Sequence, residues 1–380
     1  MKLIFKFSII LVVLVFAISC HREKKDFIGP GYIEAPDGFA VTSFVSSATL
    51  VNFSTAPQKT ITFDATFSST VSWVLTITGQ ESGAVTTYTG TSNGFSGLKW
   101  KGAQTNVYFF RNGEDVTATL SFYGTRYTQT LALTIAPKGA PYFKNLGVFS
   151  KGGDFEDYTI GHILVSDSTN PITYSNYGWS PFNFPTAIPN VNQWIASNAV
   201  DYKGNRVNPV EGLSYYYIKG LGNQSAFVSG MQYEPFAVPP SRNQFFSHIQ
   251  DTLGTNASPD NIWVNIYIYG TGDPNNSVDL EYQEDDLGSS VGYNGASDDA
   301  WVAHLTLDHK GWKLFSIKYS DLVLTSNKLF GGSGNHIKEP SRLYAWDLVL
   351  IKKTNPNSPV EVYYDYPIIT VGGPFKPTNN

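Results

Sequence analysis

Strict alternation of apolar and other residues is the feature that most limits how this chain can fold. It is clearest over residues 262–269, which read Ile-Trp-Val-Asn-Ile-Tyr-Ile-Tyr. Successive side chains of a β-strand point to opposite faces, so the four aliphatic side chains predict a core face. The opposite face then carries an aromatic and polar set: Trp263, Asn265, Tyr267 and Tyr269.

The same alternation, rich in Thr, Val and aromatic residues, runs along most of the chain and predicts an all-β protein. Residues 39–137 have the length and the short strands of an immunoglobulin-like sandwich, with Trp73 expected in its core. Residues 142–372 predict about eight strands, which suits a jelly-roll β-sandwich of two packed sheets. The turn residues from Pro137 to Pro141 predict the boundary between these two domains.

Composition excludes several classes of function. Charged residues make up only 15% of the chain, and the net charge is −5. Such a chain offers no positive field for a phosphate backbone, so we expect no nucleic acid partner. The single cysteine excludes an intrachain disulfide and a zinc site built on several cysteines.

The first residues have the pattern of a secretory signal. Lys2 and Lys6 precede an apolar stretch over residues 7–18, and the chain then reads Ala-Ile-Ser-Cys to Cys20. Small residues directly before a lone cysteine resemble the lipobox of bacterial lipoproteins. This resemblance implies that residues 1–19 are a signal peptide, that Cys20 carries lipid, and that residues 20–38 form a tether. A plain secretory signal with an incidental cysteine is the alternative.

Three segments of the second domain carry a more specific resemblance. They are Gly153 to Asp157, Lys310 to Ile317 with its Gly-Trp pair, and Val362 to Ile368. Their order and spacing resemble landmarks of galactose-binding-like carbohydrate-binding modules. Together with the lipobox and the leading sandwich, the whole resembles a surface glycan-binding lipoprotein of a Bacteroidota polysaccharide utilisation locus.

This resemblance implies a location and partners. We expect a protein that is lipid-anchored in the outer membrane, faces the cell exterior, and binds polysaccharide or oligosaccharide for an outer-membrane importer of the starch-utilisation type. The mixed, mostly basic residues 21–26 depart from the acidic run that often follows the cysteine in such proteins, which weakens the expectation of outward display.

Sugar recognition needs exposed aromatic planes with amides and carboxylates at their edges. The face of Trp263, Asn265, Tyr267 and Tyr269 meets that need, unless a loop or the other domain covers it. Neighbouring strands are expected to add Glu281 with Gln283, or His304 with Thr306, to the same sheet face. A second aromatic group is predicted in loops and comprises Tyr177, Trp179 and Trp194.

The resemblance also implies a structural calcium ion. Asp154, Glu156 and Asp365 lie in the segments that resemble the first and last strands of the family, and Ca²⁺ prefers six to eight oxygen ligands. Solvent-exposed acids at strand ends are the alternative interpretation.

The sequence therefore predicts a non-catalytic protein that binds polysaccharide by aromatic stacking. Two alternatives from other classes stay open. One is a polysaccharide-degrading glycosidase or lyase of jelly-roll fold, since Glu281, Glu284, Asp285, Asp286, Asp298 and Asp299 supply acids but no singled-out pair. The other is a structural or adhesive surface protein whose aromatic residues meet another protein.

Overall fold

The structure, a computed structural model, describes residues 31–53, 60–111, 113–136, 147–148, 155, 161–163, 179–183, 192–222, 226–233, 257–286, 296–325, 332–352 and 358–376.

The N-terminal domain is built from six strands. The strands of this domain are β1 (Val41–Ser46), β2 (Leu50–Val51), β3 (Ile61–Gly79), β4 (Val85–Trp100), β5 (Asp115–Phe122) and β6 (Thr128–Ile135). Their order is β1-β3-β5-β6-β2, with β4 also beside β3, and β2 with β6 is the one parallel pair among them.

Alternating burial along β3 and β5 gives this domain its own core, as the sequence predicts. Trp73 is 6% exposed within that core, and its indole Nε1 donates a hydrogen bond to Ser92 Oγ over 2.9 Å. The ring packs over Gly90, where a Cβ atom would lie only 2.5 Å from Trp73 Cζ2. A glycine is therefore required opposite the tryptophan, and the prediction of a core Trp73 is confirmed.

Part of the predicted tether is attached to this domain. Ile33 N donates to Ser72 Oγ over 2.9 Å, and Ala35 N donates to Tyr123 O over 2.9 Å. Tyr32 stacks on Tyr123 with ring centroids 4.0 Å apart. The described end of the tether thus belongs to the sandwich, while residues 20–30 lie outside the described residues.

The C-terminal domain is a sandwich of two antiparallel sheets. The first sheet has the order β16-β13-β19-β11-β10-β8, with β7 also beside β19. Its strands are β7 (Gly147–Val148), β8 (Gly161–Ile163), β10 (Asn192–Ala196), β11 (Tyr215–Gly222), β13 (Ile262–Thr271), β16 (Lys310–Lys318) and β19 (Ser358–Val371). The second sheet has the order β17-β15-β14-β18-β12-β9. Its strands are β9 (Trp179–Asn183), β12 (Ala226–Tyr233), β14 (Asn276–Glu284), β15 (Asp299–Thr306), β17 (Val323–Leu324) and β18 (Leu343–Lys352).

The two sheets enclose a large apolar core. Ile262, Val264, Ile266 and Ile268 from β13 all belong to it, which confirms the core face predicted for that strand. Alternate residues of β14 supply the opposite wall, so the outer face of the second sheet takes the remaining β14 side chains. The described helices are three short 3-10 turns, Pro259–Asn261, Tyr319–Asp321 and Pro340–Arg342.

A second aromatic cluster lies on the outer face of the first sheet. Residues 199–213, here called the cover loop, pack over it and hydrogen-bond to the sheet. Trp312 Nε1 donates to Asn208 O over 2.8 Å, and Tyr215 Oη donates to Val207 O over 3.0 Å. The cover loop packs on this cluster, and side chains of the N-terminal domain also belong to it.

Phe109 makes that contact between the domains. Its amide donates to Val210 O over 2.8 Å, and its ring lies edge-on to Tyr267 and Tyr366, with centroids 5.8 and 5.5 Å away. Phe109 is only 2% exposed. The N-terminal domain therefore contributes a side chain to the aromatic cluster of the second domain.

Candidate functional site

The aromatic face predicted on β13 is not an open platform. Asn265 and Tyr267 are each 2% exposed, and Tyr269 is 9% exposed; among these four residues, only Trp263 is partly exposed. A ring buried on both faces cannot stack on a sugar, so the prediction of an exposed platform at Asn265, Tyr267 and Tyr269 is wrong.

Hydrogen bonds show what each of these side chains does instead. Asn265 Nδ2 donates to Ile368 O over 3.1 Å, and its Oδ1 accepts from Phe375 N over 3.0 Å. Tyr269 Oη donates to Asp201 Oδ2 over 3.2 Å, and burial raises the pKa of Tyr267. The face binds the cover loop, the chain end near Phe375 and the N-terminal domain.

Glu281 and His304 do not join that face. They lie on β14 and β15 of the second sheet, whereas Trp263 lies on β13 of the first. The prediction that they share a sheet face with Trp263 is therefore wrong. Strand order decides this, and the sequence gives no direct signal for it.

The second predicted aromatic group is divided in a similar way. Tyr177 lies outside the described residues. Trp179 is on β9 of the second sheet and Trp194 is on β10 of the first, so the prediction that both lie in loops is wrong. Their side chains are outside the described part of the structure, and their role in binding stays a prediction.

The structure instead brings polar side chains together on the outer face of the second sheet. Strand register places Asp279 opposite His304, and Glu281 opposite Asp347. Directly opposed residues of antiparallel strands share a face, with Cβ atoms about 5 Å apart. We call this set the acidic face: Asp279, Glu281, Gln283, His304 and Asp347.

Hydrogen bonds link the members of the acidic face. Gln283 Nε2 donates to Asp347 Oδ2 over 3.0 Å, and the Gln283 side chain also bonds to Glu281. His304 Nδ1 lies 2.6 Å from Asp279 Oδ1. The four residues other than His304 are at most 6% exposed, whereas the His304 side chain is 63% exposed. His304 is therefore the accessible end of a buried polar row.

Glu281 has the most unusual environment of this set. Burial, with a further contribution from the nearby Asp279 charge, raises its pKa to about 8. Its Oε1 is buried and has no hydrogen-bond partner within the described protein. A neutral Glu281 side chain can both donate and accept a hydrogen bond.

The buried polar side chains of the acidic face do not favour the stability of the folded protein by themselves. Burying polar groups and carboxylates on a sheet is unfavourable unless each is paired, and apolar residues of similar volume would stabilise the same surface better. A buried carboxyl group with a raised pKa, such as Glu281, is a common mark of a functional site. Sequence reasoning named Glu281, Gln283 and His304, but it missed Asp347, whose only signal was its place in an alternating strand.

The remaining acids of the second sheet are engaged in holding its end together. Glu284 Oε1 accepts from Tyr319 Oη and Glu339 N, over 2.8 and 2.9 Å, while Glu284 Oε2 accepts from Trp301 Nε1 over 2.8 Å. Asp299 accepts hydrogen bonds from the backbone amides of Gly334 and His336. Asp286 accepts from Asn335 N, and Asp298 accepts from Asp286 N. These hydrogen bonds anchor residues 332–339.

One of the three predicted calcium ligands, Asp365, lies within the described residues. Asp154 and Glu156 lie outside the described residues. Asp365 is fully buried, and its Oδ2 accepts from Val210 N and Glu211 N over 2.6 and 3.2 Å, so this oxygen holds the cover loop. Among the described residues, no three His, Cys, Asp or Glu side chains are grouped to hold a metal ion. A calcium ion bound by Asp154, Glu156 and Asp365 stays a prediction.

Comparison with known proteins gives structural likenesses only. No protein family model and no curated protein sequence matches the chain. A family 11 carbohydrate-binding module from Clostridium thermocellum is similar at 13% identity and TM-score 0.33, over 57% of this chain and 98% of the module. The protein SGBP-B from a complex xyloglucan utilization locus in Bacteroides uniformis is similar at 11% identity and TM-score 0.30, over 89% of this chain and 74% of that protein. A family 30 carbohydrate-binding module is similar at 12% identity and TM-score 0.27, over 47% of this chain and 91% of that module.

The described residues contain no helix that is long and apolar enough to cross a membrane. The predicted signal peptide and Cys20 precede the first described residue.

Proposed function

We propose that this protein binds polysaccharide through the acidic face of its second sheet and performs no catalysis on it. The observation that carries the proposal is Glu281, a buried carboxyl group whose Oε1 has no partner within the described protein and which lies beside Asp347 and Asp279. His304 is the exposed member of this face, and the described residues leave Glu281 Oε1 behind it without a hydrogen-bond partner.

The chemistry of the acidic face suits sugar hydroxyls. Each hydroxyl both donates and accepts, and the carboxylates of Asp279 and Asp347 accept while a neutral Glu281 does both. Hydrogen bonds to charged groups contribute about 1.5–3 kcal/mol, more than those between neutral groups. His304, which is exposed and contacts Asp279, is the member of this face that a sugar ring can reach from solvent. This site binds mainly by hydrogen bonding at its described positions, unlike the aromatic stacking that the sequence predicted.

We also propose, from the sequence, that the protein is anchored in the outer membrane. Cys20 would carry lipid in the outer membrane, and residues 21–31 would join it to the sandwich that begins near Tyr32. The twelve residue-to-residue steps from Cys20 to Tyr32 span at most about 43 Å, at about 3.6 Å each. The N-terminal domain would thus be held close to the cell surface, and captured glycan would pass to an importer of the starch-utilisation type.

A glycosidase is the second candidate, because Glu281 combines a raised pKa with a neighbouring acid. A glycosidase places its two carboxyl groups on either side of the glycosidic bond. Here Glu281 and Asp347 are directly opposed on neighbouring strands of one sheet face, and Gln283 Nε2 donates to Asp347 Oδ2. This arrangement favours binding over hydrolysis.

Native affinity electrophoresis tests the proposal. We expect at least one soluble polysaccharide among mixed-linkage β-glucan, xyloglucan and mannan to retard the protein, and His304→Ala to reduce the retardation without changing the melting temperature. Asp308→Ala, which changes an exposed side chain in the turn between β15 and β16, is the matched control. Release of reducing sugar would support the glycosidase instead. No retardation by any glycan would favour a structural or adhesive protein.

A further inference from the structure

An exposed group of aromatic rings lies on the N-terminal domain, where the described chain begins. It consists of Tyr32, Tyr123 and Tyr127, here called the tyrosine patch. Tyr32 is 67% exposed and Tyr127 is 42% exposed. The Tyr32 ring lies on the Tyr123 ring with centroids 4.0 Å apart and an interplanar angle of 14°. Since Tyr123 covers one face of the Tyr32 ring, the exposed surface of Tyr32 includes its other face.

Backbone hydrogen bonds on the C-terminal side of Tyr32 hold this ring in place. Ile33 N donates to Ser72 Oγ over 2.9 Å, and Ser72 N donates to Ile33 O over 2.8 Å. Ala35 N donates to Tyr123 O over 2.9 Å. A side chain that is already ordered loses less conformational entropy when a ligand binds. A ring that is both fixed and exposed therefore suits a ligand that stacks on it.

The turn beside the patch leaves room for the segment that carries Tyr32. Gly124 has a φ of +80°, and a Cβ atom at this position would lie 2.6 Å from Glu34 Cβ. Glycine adopts this backbone conformation without strain. The close approach of the two segments therefore depends on Gly124.

Polar groups lie around the rings of the patch. Gln129 Nε2 donates to Tyr127 Oη over 2.7 Å. Thr125 and Arg126 are exposed in the turn that carries Tyr127. A sugar ring can stack its C–H groups on an aromatic plane while its hydroxyls bind amide, hydroxyl and guanidinium groups. The patch offers this combination in the open, which the buried aromatic face of β13 does not.

The charges at this end of the domain favour a glycan over a lipid surface. In the two described segments that form it, residues 31–39 and 122–129, the exposed charged side chains are Glu34, Asp37 and Arg126. Two acids and one base give no net attraction to anionic lipid headgroups, which bind clusters of lysine and arginine. An uncharged sugar needs no such cluster.

The tyrosine patch is far from the C-terminal domain. Ser72, which holds the patch, and Gly79 are separated by roughly 23 Å along β3, at about 3.3 Å for each residue. The turn after Gly79 contains Gly83, whose carbonyl oxygen accepts from Asn106 Nδ2 over 2.8 Å. Asn106 is close in sequence to Phe109, which enters the aromatic cluster of the C-terminal domain. The patch and the C-terminal domain thus lie at opposite ends of the N-terminal domain.

We infer that the tyrosine patch is a second glycan-binding site, at which a sugar ring stacks on the exposed face of Tyr32. The inference rests on the proposed function only for the class of ligand. A single stacked ring makes this the weaker of the two sites. One long polysaccharide can bind both sites at once, whereas a short oligosaccharide binds one at a time, so the patch raises the apparent affinity mainly for long chains.

Native affinity electrophoresis in mixed-linkage β-glucan, xyloglucan and mannan tests the inference with the full chain. We expect Tyr32→Ala to weaken binding of the retarding polysaccharide by at least about fivefold, the loss expected when a stacking ring is removed. Tyr32→Phe keeps the ring and should keep the affinity. Tyr202→Ala removes a tyrosine that is 39% exposed in the cover loop and is the matched control, which should bind as the wild type does. None of these variants should change the melting temperature.

Combination with His304→Ala separates the two sites. Losses in both single variants, with a larger loss in the double variant, would support both. Wild-type affinity in Tyr32→Ala, with a loss in His304→Ala, would overturn the inference and leave the proposed function standing. The reverse result would support the patch and overturn the acidic face.

A membrane role for the patch is the remaining alternative. The probe is the Cys20→Ala chain mixed with vesicles of phosphatidylethanolamine and phosphatidylglycerol. We expect it to stay in the supernatant. Pelleting that Tyr32→Ala abolishes, together with unchanged glycan affinity in that variant, would overturn the inference in favour of a lipid surface.

Discussion

Phe109→Ala is expected to weaken the C-terminal domain, although residue 109 belongs to the N-terminal domain. Phe109 is 2% exposed and its ring contacts Tyr267, Tyr366 and Phe375 at centroid distances of 5.8, 5.5 and 6.3 Å. Replacing a buried phenylalanine by alanine costs about 3–5 kcal/mol in a protein core. We expect a loss of that size, because the aromatic cluster loses its central ring and cannot refill the space from the cover loop alone.

The neighbouring residue supplies a matched control. Phe110 is 4% exposed and packs on Trp100 in the core of its own domain, with centroids 4.9 Å apart. Calorimetry should therefore show Phe110→Ala lowering the transition of the N-terminal domain. Phe109→Ala should lower the transition of the C-terminal domain and reduce the near-ultraviolet circular dichroism of its packed tyrosines.

The same comparison can refute the reasoning. If Phe109→Ala lowers only the transition that Phe110→Ala lowers, and the tyrosine signal is unchanged, the two domains are not joined through this ring. A chain starting near Tyr142 lacks Phe109 and also Val107 and Tyr108, which pack on the same cluster, so its stability should fall at least as far as that of the C-terminal domain in Phe109→Ala. The sequence alone predicts a freely separable module, and equal stability of that chain and the intact protein would favour it.

Further expectations concern the acids and the anchor. The pKa of Glu281 is raised to about 8, so the folded protein keeps a proton that the unfolded chain releases near pH 4.5, and the free energy of unfolding falls as pH rises between these values. Glu281→Gln should reduce that fall in urea unfolding measured from pH 5 to 8. An unchanged slope would contradict this expectation. Glu284→Ala leaves Trp301 Nε1 and Tyr319 Oη without their acceptor, and at about 1–3 kcal/mol for each buried group it should destabilise strongly in the same assay, whereas a loss below 1 kcal/mol would argue against the anchoring role. Cys20→Ala should release the protein from membranes into the soluble fraction, and a variant that still pellets and labels with palmitate would refute lipidation. Chelation should lower the melting temperature if Asp154 and Glu156 hold calcium, and unchanged melting with no metal by elemental analysis would exclude it.

The strands and their two-residue alternation were predictable because both depend on residues that are close in sequence. The alternation at 262–269 predicted a strand there and which of its side chains face the core. Period-two patterning depends only on neighbours along the chain. The all-β class and the sandwich architecture therefore follow from the sequence.

Whether the aromatic face of β13 is exposed to solvent could not be predicted from local alternation. The aromatic side of β13 is closed by residues far away in sequence, including Phe109 and Val210. An aromatic and polar face looks the same in the sequence whether it meets water, a loop or another domain. Tyrosine in particular suits a buried face, because its hydroxyl can reach a partner such as Asp201.

The acidic face depends on strand order, which the sequence does not encode locally. Glu281 and Asp347 are 66 residues apart and become neighbours only because β14 pairs with β18. Alternation placed each of them on one side of its own strand. The pairing of those strands is set by the whole packed sandwich.

The most direct test of the binding site compares two faces of the same domain by calorimetric titration with one oligosaccharide of the best-binding neutral glycan. The variants are Glu281→Ala and His304→Ala on the acidic face, and Trp263→Ala on the covered face of the first sheet. Binding through the acidic face predicts at least a tenfold loss of affinity for Glu281→Ala, about 1.4 kcal/mol, a smaller loss for His304→Ala, and wild-type affinity for Trp263→Ala. Full affinity in both acidic-face variants, with binding lost in Trp263→Ala, would contradict the assignment and return the site to β13.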